Sequence, residues 1–170
     1  YRRVYAAGGE RWGHAPTDEG LTQVLTEWVE TQGLRGKRVV EFACGEGASG
    51  VILSQLGCIY CGVDVSPTVV ATAQEALAGF PQARVCRLDM VLEAVPDGPY
   101  DAALDVMGFH MLITDGDRLA YLRHALAALA PGAPMLFFRE CYRQDIFDGP
   151  IPSFEAFVER FGGDYVTLEK

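Results

Sequence analysis

Apolar positions in this chain follow two rhythms, and the places where one gives way to the other mark its elements. Leu21, Val24, Leu25, Trp28 and Val29 recur at helical spacing and make one apolar face. Thr17 or Asp18 is placed to cap that helix and Gly33 to end it. The spacing then changes. Val39, Val40 and Phe42 form a short apolar run that predicts a buried strand, and glycines at 45, 47 and 50 turn the chain into a second helix carrying Val51, Ile52, Leu53 and Leu56 and stopping at Gly57. Residues 58–63 read as the second strand, closing on Asp64. Ser66-Pro67 opens the next helix, serine at the cap and proline at the first helical position, and it runs to about residue 80, before Pro81. A third strand at 83–88 closes on Asp89, and a turn at 96–99 leads into a fourth strand at 100–106. Thr114 and Asp117 read as a capping box for a helix whose face is Leu119, Leu122, Leu126 and Leu129, stopped by Pro131-Gly132. Residues 135–138 are a fifth strand. Ser153 caps a short helix with Phe154, Phe157, Val158 and Phe161 on one face, closed by Gly162-Gly163, and residues 165–168 form one further strand.

Strand–helix alternation without internal repeat or linker predicts a single domain over residues 1–170, an α/β fold with a doubly wound, mostly parallel sheet flanked by helices. Residues 1–20 begin without a clean period, with Gly8, Gly9 and Gly13 as flexible points, and stand apart as a candidate lid. Charge narrows the partners. A formal net charge of −9 leaves no basic stripe for a phosphate backbone and disfavours an anionic membrane surface. No apolar run is long enough to span a bilayer, and the first residues lack a signal-peptide pattern. The expectation is a cytoplasmic protein, monomer or homodimer, that meets a small-molecule substrate rather than nucleic acid or a membrane. The chain opens at Tyr1 rather than Met, so a natural N-terminus is not expected at that residue.

Chemistry concentrates in residues 38–50, RVVEFACGEGASG. Glycines suit a turn where the backbone must bend tightly and let a ligand approach, and the helix that follows supplies unpaired N–H groups. Gly45, Gly47 and Gly50 spell G-x-G-x-x-G with Asp64 close to the spacing of a dinucleotide site, so that fingerprint is formally satisfied. Charge points elsewhere. Glu41 stands at the strand end beside the turn, and no Lys or Arg lies between Arg38 and Arg84. A carboxylate there repels a diphosphate and favours a ligand carrying positive charge, such as the sulfonium and α-ammonium of S-adenosylmethionine.

Glu41, Asp64 and Asp89 each close a predicted strand, on the edge where open α/β sheets bind ligands. Asp64 is placed to accept from both hydroxyls of a ribose. Asp89 is placed to accept from an adenine amino group, with the Met90 N–H facing the ring and its side chain packing on it. Singly, each acid reads at least as well as a helix cap or a solvated loop carboxylate; three at successive strand ends favour a site.

Other chemistry-bearing residues carry two readings each. Cys58 and Cys61 form a C-x-x-C, but on a strand they point to opposite faces, and no second Cys/His pair completes a tetrahedral site. They read as core thiols, two of the chain's five cysteines, and no metal is expected. Asp115-Gly116-Asp117 reads as a helix start rather than a calcium loop. His110, among Phe109, Met111 and Leu112, is either a general base or a packed histidine. His124 falls among the polar positions of its helix and reads as solvated. Tyr5, Trp12 and His14 either close over a cofactor or belong to a frayed terminus, and Cys141 and Arg143 either touch substrate or sit on a surface loop.

From about residue 39 to 139 the chain resembles the class I S-adenosylmethionine-dependent methyltransferases. VVEFACGEG is similar to the family's first motif, with Ala43 where a glycine is common. GVDVS is similar to the ribose-binding motif and RLDM to the adenine motif. YDAALDVMGFHML resembles the fourth strand with its loop, and LAPGAPMLF the lead into the fifth. The resemblance implies a Rossmann-like methyltransferase fold and S-adenosylmethionine as cofactor, with S-adenosylhomocysteine as product. Cofactor contacts would fall at Glu41, Ala43, Gly45, Gly47, Asp64, Val65, Asp89, Met90 and Asp105, the last near the methionyl ammonium, joined by Tyr5 and Trp12. Tyr5, Trp12-Gly13 and Pro16 form a pattern similar to bacterial small-molecule methyltransferases, including tellurite- and thiopurine-directed ones. Family members end in an antiparallel hairpin whose last strand inserts beside the fifth. Here only residues 165–168 remain, so the C-terminal hairpin is incomplete: an edge strand is missing, comes from a partner, or lies outside this sequence.

Methyl transfer from a sulfonium is an in-line displacement, for which a protein supplies chiefly positioning and exclusion of water. The acceptor is expected beside residues 107–112 under the N-terminal segment, with His110 as base where a proton must leave. Acceptor oxygen, nitrogen, sulfur and carbon all stay open. Two other classes remain: a nicotinamide-dependent oxidoreductase, and a non-catalytic cofactor-binding or scaffolding subunit.

Overall fold

The computed structural model describes residues 15–140 and 149–162, and its axis is the strand that precedes the glycine turn. β1 (Arg38–Phe42) pairs on one side with β2 (Ile59–Asp64), which pairs with β3 (Ala83–Arg87). On its other side it pairs with β4 (Ala102–Val106), which pairs with β5 (Met135–Phe138). Every pairing is parallel and the order is β3-β2-β1-β4-β5. The direction of winding therefore reverses between β1 and β4, and a crevice opens at the carboxyl ends of those two strands.

Helices cover both faces. α1 (Glu19–Gln32) starts where the Asp18 side chain accepts the Leu21 N–H at 2.9 Å, and stops at Gly33, whose φ of 64° returns the backbone to the Val29 and Glu30 carbonyls. It buries Leu21, Leu25, Trp28 and Val29. With α2 (Ala48–Gln55) and α3 (Pro67–Ala76) it covers the face that carries Val39, Tyr60, Val85 and Leu104. α4 (Asp115–Ala128) covers the opposite face, that of Val40, Phe42, Cys61, Val63 and Ala103. Cys58 and Cys61 fall in these two different clusters, as strand alternation requires. A short α5 (Phe154–Phe161), capped by Ser153, buries Phe157 against Ile151.

Several boundaries differ from the sequence expectation for local reasons. α3 ends at Ala76, not near residue 80, where Leu77 leaves helical geometry with φ −98° and ψ 1° and packs into the core. The fourth strand begins at Ala102; Tyr100 makes only an isolated bridge to Leu129, its hydroxyl tied to the Pro96 carbonyl. Gly50 is not part of the turn. It lies inside α2, where a Cβ would come within 2.5 Å of the Tyr60 ring, so it is glycine to admit a tyrosine. The leucine face assigned to α4 is half right: Leu122 and Leu129 pack against the core, but Leu119 and Leu126 are exposed, and the residues the helix buries are Tyr121, Ala125 and Ala128. Small residues let it settle onto the sheet, and the Tyr121 hydroxyl reaches the Asp105 carboxylate at 2.6 Å. The expected strand at 165–168 lies outside the described residues, as does the question of the hairpin.

Candidate active site

The carboxyl ends of β1, β2 and β4, with the turn after β3, surround a cavity of about 1020 Å³. Glu41, Ala43, Gly45, Asp64, Val65, Asp89, Met90 and His110, all expected at the site, line it. Gly47 and Asp105 do not. Gly47, at φ 83°, caps α2 and packs on Ala73 of α3, where an added Cβ would lie 3.2 Å from the Ala73 methyl. Asp105 is fully buried beneath the floor, its Oδ1 accepting the N–H groups of Gly108 (2.6 Å) and Phe109 (3.2 Å). The neighbouring Val106, Met107 and Gly108 line the cavity in its place. Tyr5, Trp12, His14, Cys141 and Arg143 lie outside the described residues.

The residue just past each of three adjacent strands is left-handed without being glycine: Ala43 after β1 (φ 50°), Met107 after β4 (φ 64°) and Arg139 after β5 (φ 58°). Side chains disfavour that region, so these positions are strained, and two of them, Ala43 and Met107, line the cavity. This also accounts for the position of Ala43, where a glycine would sit without strain.

The acids do different work. Glu41 is sealed in the wall, accepting a hydrogen bond from the Tyr60 hydroxyl. Burial pushes its carboxyl up to about 8, opposed by hydrogen bonds from Tyr60 and Ser49. The repulsion of a diphosphate expected from residue 41 is therefore weakened at neutral pH, because burial favours the protonated form. Asp64 accepts the Gly45 N–H at 3.1 Å and the Ser66 N–H at 2.9 Å, so it holds the glycine turn to the end of β2; burial raises it, and these bonds oppose the rise. Asp89 accepts from Val91 at 2.9 Å and thus caps its own turn while lining the cavity.

His110 sits in a single 3₁₀ turn, Phe109–Met111, after β4. Its Nδ1 lies 2.9 Å from Oε2 of Glu140, and the same oxygen accepts the His110 backbone N–H at 2.8 Å. Glu140 escaped the sequence reading, although it is an acid just past the fifth strand, the signal that singled out Glu41, Asp64 and Asp89. His124, expected in solvent, is half-buried, with Nδ1 3.1 Å from the Met90 carbonyl. Arg139 forms a bidentate pair with Asp18, at 2.6 and 3.0 Å, which ties the start of α1 to the end of β5. Among the described residues no group of three or more His, Cys, Asp or Glu is arranged to hold a metal ion.

The methyltransferase domain family matches residues 39–132, more than half of the chain and the stretch that supplies the cavity's strand ends. The chain belongs to that family. It is 27% identical over 136 residues to the 2-heptyl-1-hydroxyquinolin-4(1H)-one methyltransferase of Mycobacteroides abscessus, covering 77% of this chain and 59% of the relative. Its fold is similar to that of the S-adenosylmethionine-bound amino pentose methyltransferase CalS10 of Micromonospora echinaspora (TM-score 0.66, 22% identity, 86% of this chain and 60% of that one). It is also similar to that of a TehB-like methyltransferase of Corynebacterium glutamicum (TM-score 0.60, 22% identity, 94% and 75%). The chain spans little more than half the length of the curated relatives it matches. The Rossmann-like architecture expected from the sequence is thus the one found. No helix among the described residues is long and apolar enough to cross a membrane.

Proposed function

We propose that this single domain binds S-adenosylmethionine in the cavity at the β1–β4 crevice and transfers its methyl group to a small-molecule acceptor. The observation that carries this reading is the coincidence of the family match with the strand ends that build the cavity. The cavity suits a nucleoside ligand. Gly45 faces open space, with no atom within 4 Å of where a Cβ would stand, so a ligand can approach its backbone. Asp64 offers its remaining lone pairs to ribose hydroxyls, and Asp89 with Met90 flanks the place of the base. Glu41, Ala43 and Val65 complete that wall, Glu41 beside the amino-acid end.

When bound, the cofactor supplies a methyl group already activated on sulfur. The protein's part is to hold the acceptor against Met107, Met111 and Leu112 and to keep water out, with His110 accepting a proton where the acceptor must lose one. Tyr5 and Trp12, within the candidate lid at 1–20, belong to the same proposal, as do a cytoplasmic setting and a monomeric or homodimeric state without nucleic-acid partners. Two of the proteins named above, the 2-heptyl-1-hydroxyquinolin-4(1H)-one methyltransferase and the amino pentose methyltransferase, carry small-molecule acceptors in their printed names, and the net charge of −9 suits such an acceptor better than a polyanion.

Calorimetry with S-adenosylmethionine and, separately, NADH tests the binding. The sulfonium ligand should bind and NADH should not; the reverse would end the proposal. Asp64→Ala is expected to weaken cofactor binding by about tenfold or more. Release of S-adenosylhomocysteine across a panel of hydroxyl, amine, thiol and carbon acceptors then distinguishes an enzyme from a binding subunit.

A further inference from the structure

We propose that Glu140 is a positioning residue for His110, holding the imidazole with its proton on Nδ1 and keeping a negative charge behind the ring, so that the opposite nitrogen is the one that takes a proton from the methyl acceptor. The proposal rests on the methyl-transfer reading for the identity of that acceptor, but its structural content stands on separate observations.

His110 and Glu140 come from different elements, thirty residues apart, and one carboxylate oxygen fastens both the backbone and the ring of the histidine. Such a grip leaves the ring little freedom to turn. A carboxylate accepts and cannot donate, so Nδ1 carries the proton and Nε2 the lone pair. His110 lines the cavity and Glu140 does not, so Glu140 acts through the ring and not on a ligand. A second layer lies behind. Asp105 is held by the Gly108 and Phe109 N–H groups and by the Tyr121 hydroxyl. Burial first, and then the neighbouring Glu140 charge, lift Asp105 above the usual carboxylate range, while the hydrogen bonds of His110 hold Glu140 below it. The negative charge of the pair is thereby kept on Glu140, against the ring.

Among the described residues the ionisable groups that line the same cavity are the carboxyl groups of Glu41, which keeps its proton, Glu46, Asp64, Asp89 and Asp117, and the Cys44 thiol, which burial pushes up. The nearby cations face other partners, Arg118 the Leu112 carbonyl and Asp115, and Arg139 the carboxylate of Asp18. An imidazolium formed at His110 is stabilised by the Glu140 carboxylate that lies 2.9 Å from its Nδ1. In the step assigned to it, the bond between the acceptor atom and its hydrogen breaks and its electron pair stays on the acceptor. The Nε2 lone pair forms the new N–H bond, and the ring later returns the proton to water.

Long-range proton–nitrogen correlation spectra of the 15N-labelled full chain, with the His110 signals assigned through His110→Gln, read tautomer and titration directly. The wild type should show the Nδ1–H form and titrate above the ordinary value of about 6.5. Glu140→Gln keeps an accepting oxygen but no charge: it should keep the tautomer and titrate about one pH unit or more lower, a tenfold loss of proton affinity. Glu140→Ala should lose both. A wild-type proton on Nε2, or a His110 titration that neither variant moves, would overturn the proposal. If Glu140→Ala does not fold, the isosteric Glu140→Gln carries the test alone. Calorimetry with S-adenosylmethionine on the same samples separates the two readings: absent binding in the wild type with an intact His110 signature removes the methyl-transfer reading, whereas binding retained in Glu140→Gln within about twofold assigns its effect to the histidine.

Discussion

Glu41 holds its proton because the carboxyl is sealed among Tyr60, Ser49 and the walls of the cavity instead of standing out in water. The unfolded chain releases that proton near the ordinary value of 4.5, the folded chain only near 8. Between those values the native state binds the extra proton, so this group's contribution to stability is full below 4.5 and is lost as pH rises toward 8, with a slope of at most about 1.4 kcal/mol per pH unit. Glu41→Gln leaves Tyr60 a partner and cannot ionise. Its denaturation free energy should be flatter than the wild type's across this window, which urea titrations at several pH values would measure; parallel curves would refute the assignment. A cation bound beside Glu41 favours the ionised form, so wild-type affinity for S-adenosylmethionine should rise with pH through the same window and that of Glu41→Gln should not. Residue identity at the rim was legible in the sequence, since acids closing strands can be seen without coordinates. Protonation was not, because it depends on how completely the packed fold buries the carboxyl.

At the scale of elements, caps were legible and faces less so. Asp18, Gly33, Thr114 and Ser153 do what short polar side chains and glycine do at helix ends. The face of α4 was read half right, with Leu122 and Leu129 against the core, because leucine dominates any count of apolar positions, while the line buried against the sheet is Tyr121, Ala125 and Ala128. Close approach selects small side chains, a requirement that hydrophobicity alone does not express. The two sides of this helix should respond oppositely. Leu126→Gln, on the solvent side, should change stability by less than about 0.5 kcal/mol. Ala125→Leu, under the helix, should cost about 1–3 kcal/mol through overpacking. Thermal denaturation of the pair checks this, and equal effects would mean that the helix packs otherwise. Glu140 carried the mark of the other strand-end acids, but its pairing with His110 was not legible, because only the loop after β4 brings the two together.

For the whole molecule, the alternation of elements was enough to place strands and helices, and the resemblance supplied the cleft. What neither contained was how distant parts are fastened. Arg139 and Asp18 are 121 positions apart and join the first described helix to the last described strand. The strand order extends this to the making of the chain. β1 receives β2 early, and β3 extends that same flank, but its other flank stays bare until residue 102 has been added, although both its faces are apolar. A nascent chain paused near Pro99 therefore offers the ribosome's surroundings an open, sticky ribbon, which is a template for association between copies. Fragment 1–99 should precipitate or be held by chaperones, whereas 1–140 supplies the two missing strands and the arginine clasp and should stay dispersed in a sedimentation assay. The first described helix precedes every described strand in the chain, yet its clasp closes only at a residue just past the last of them.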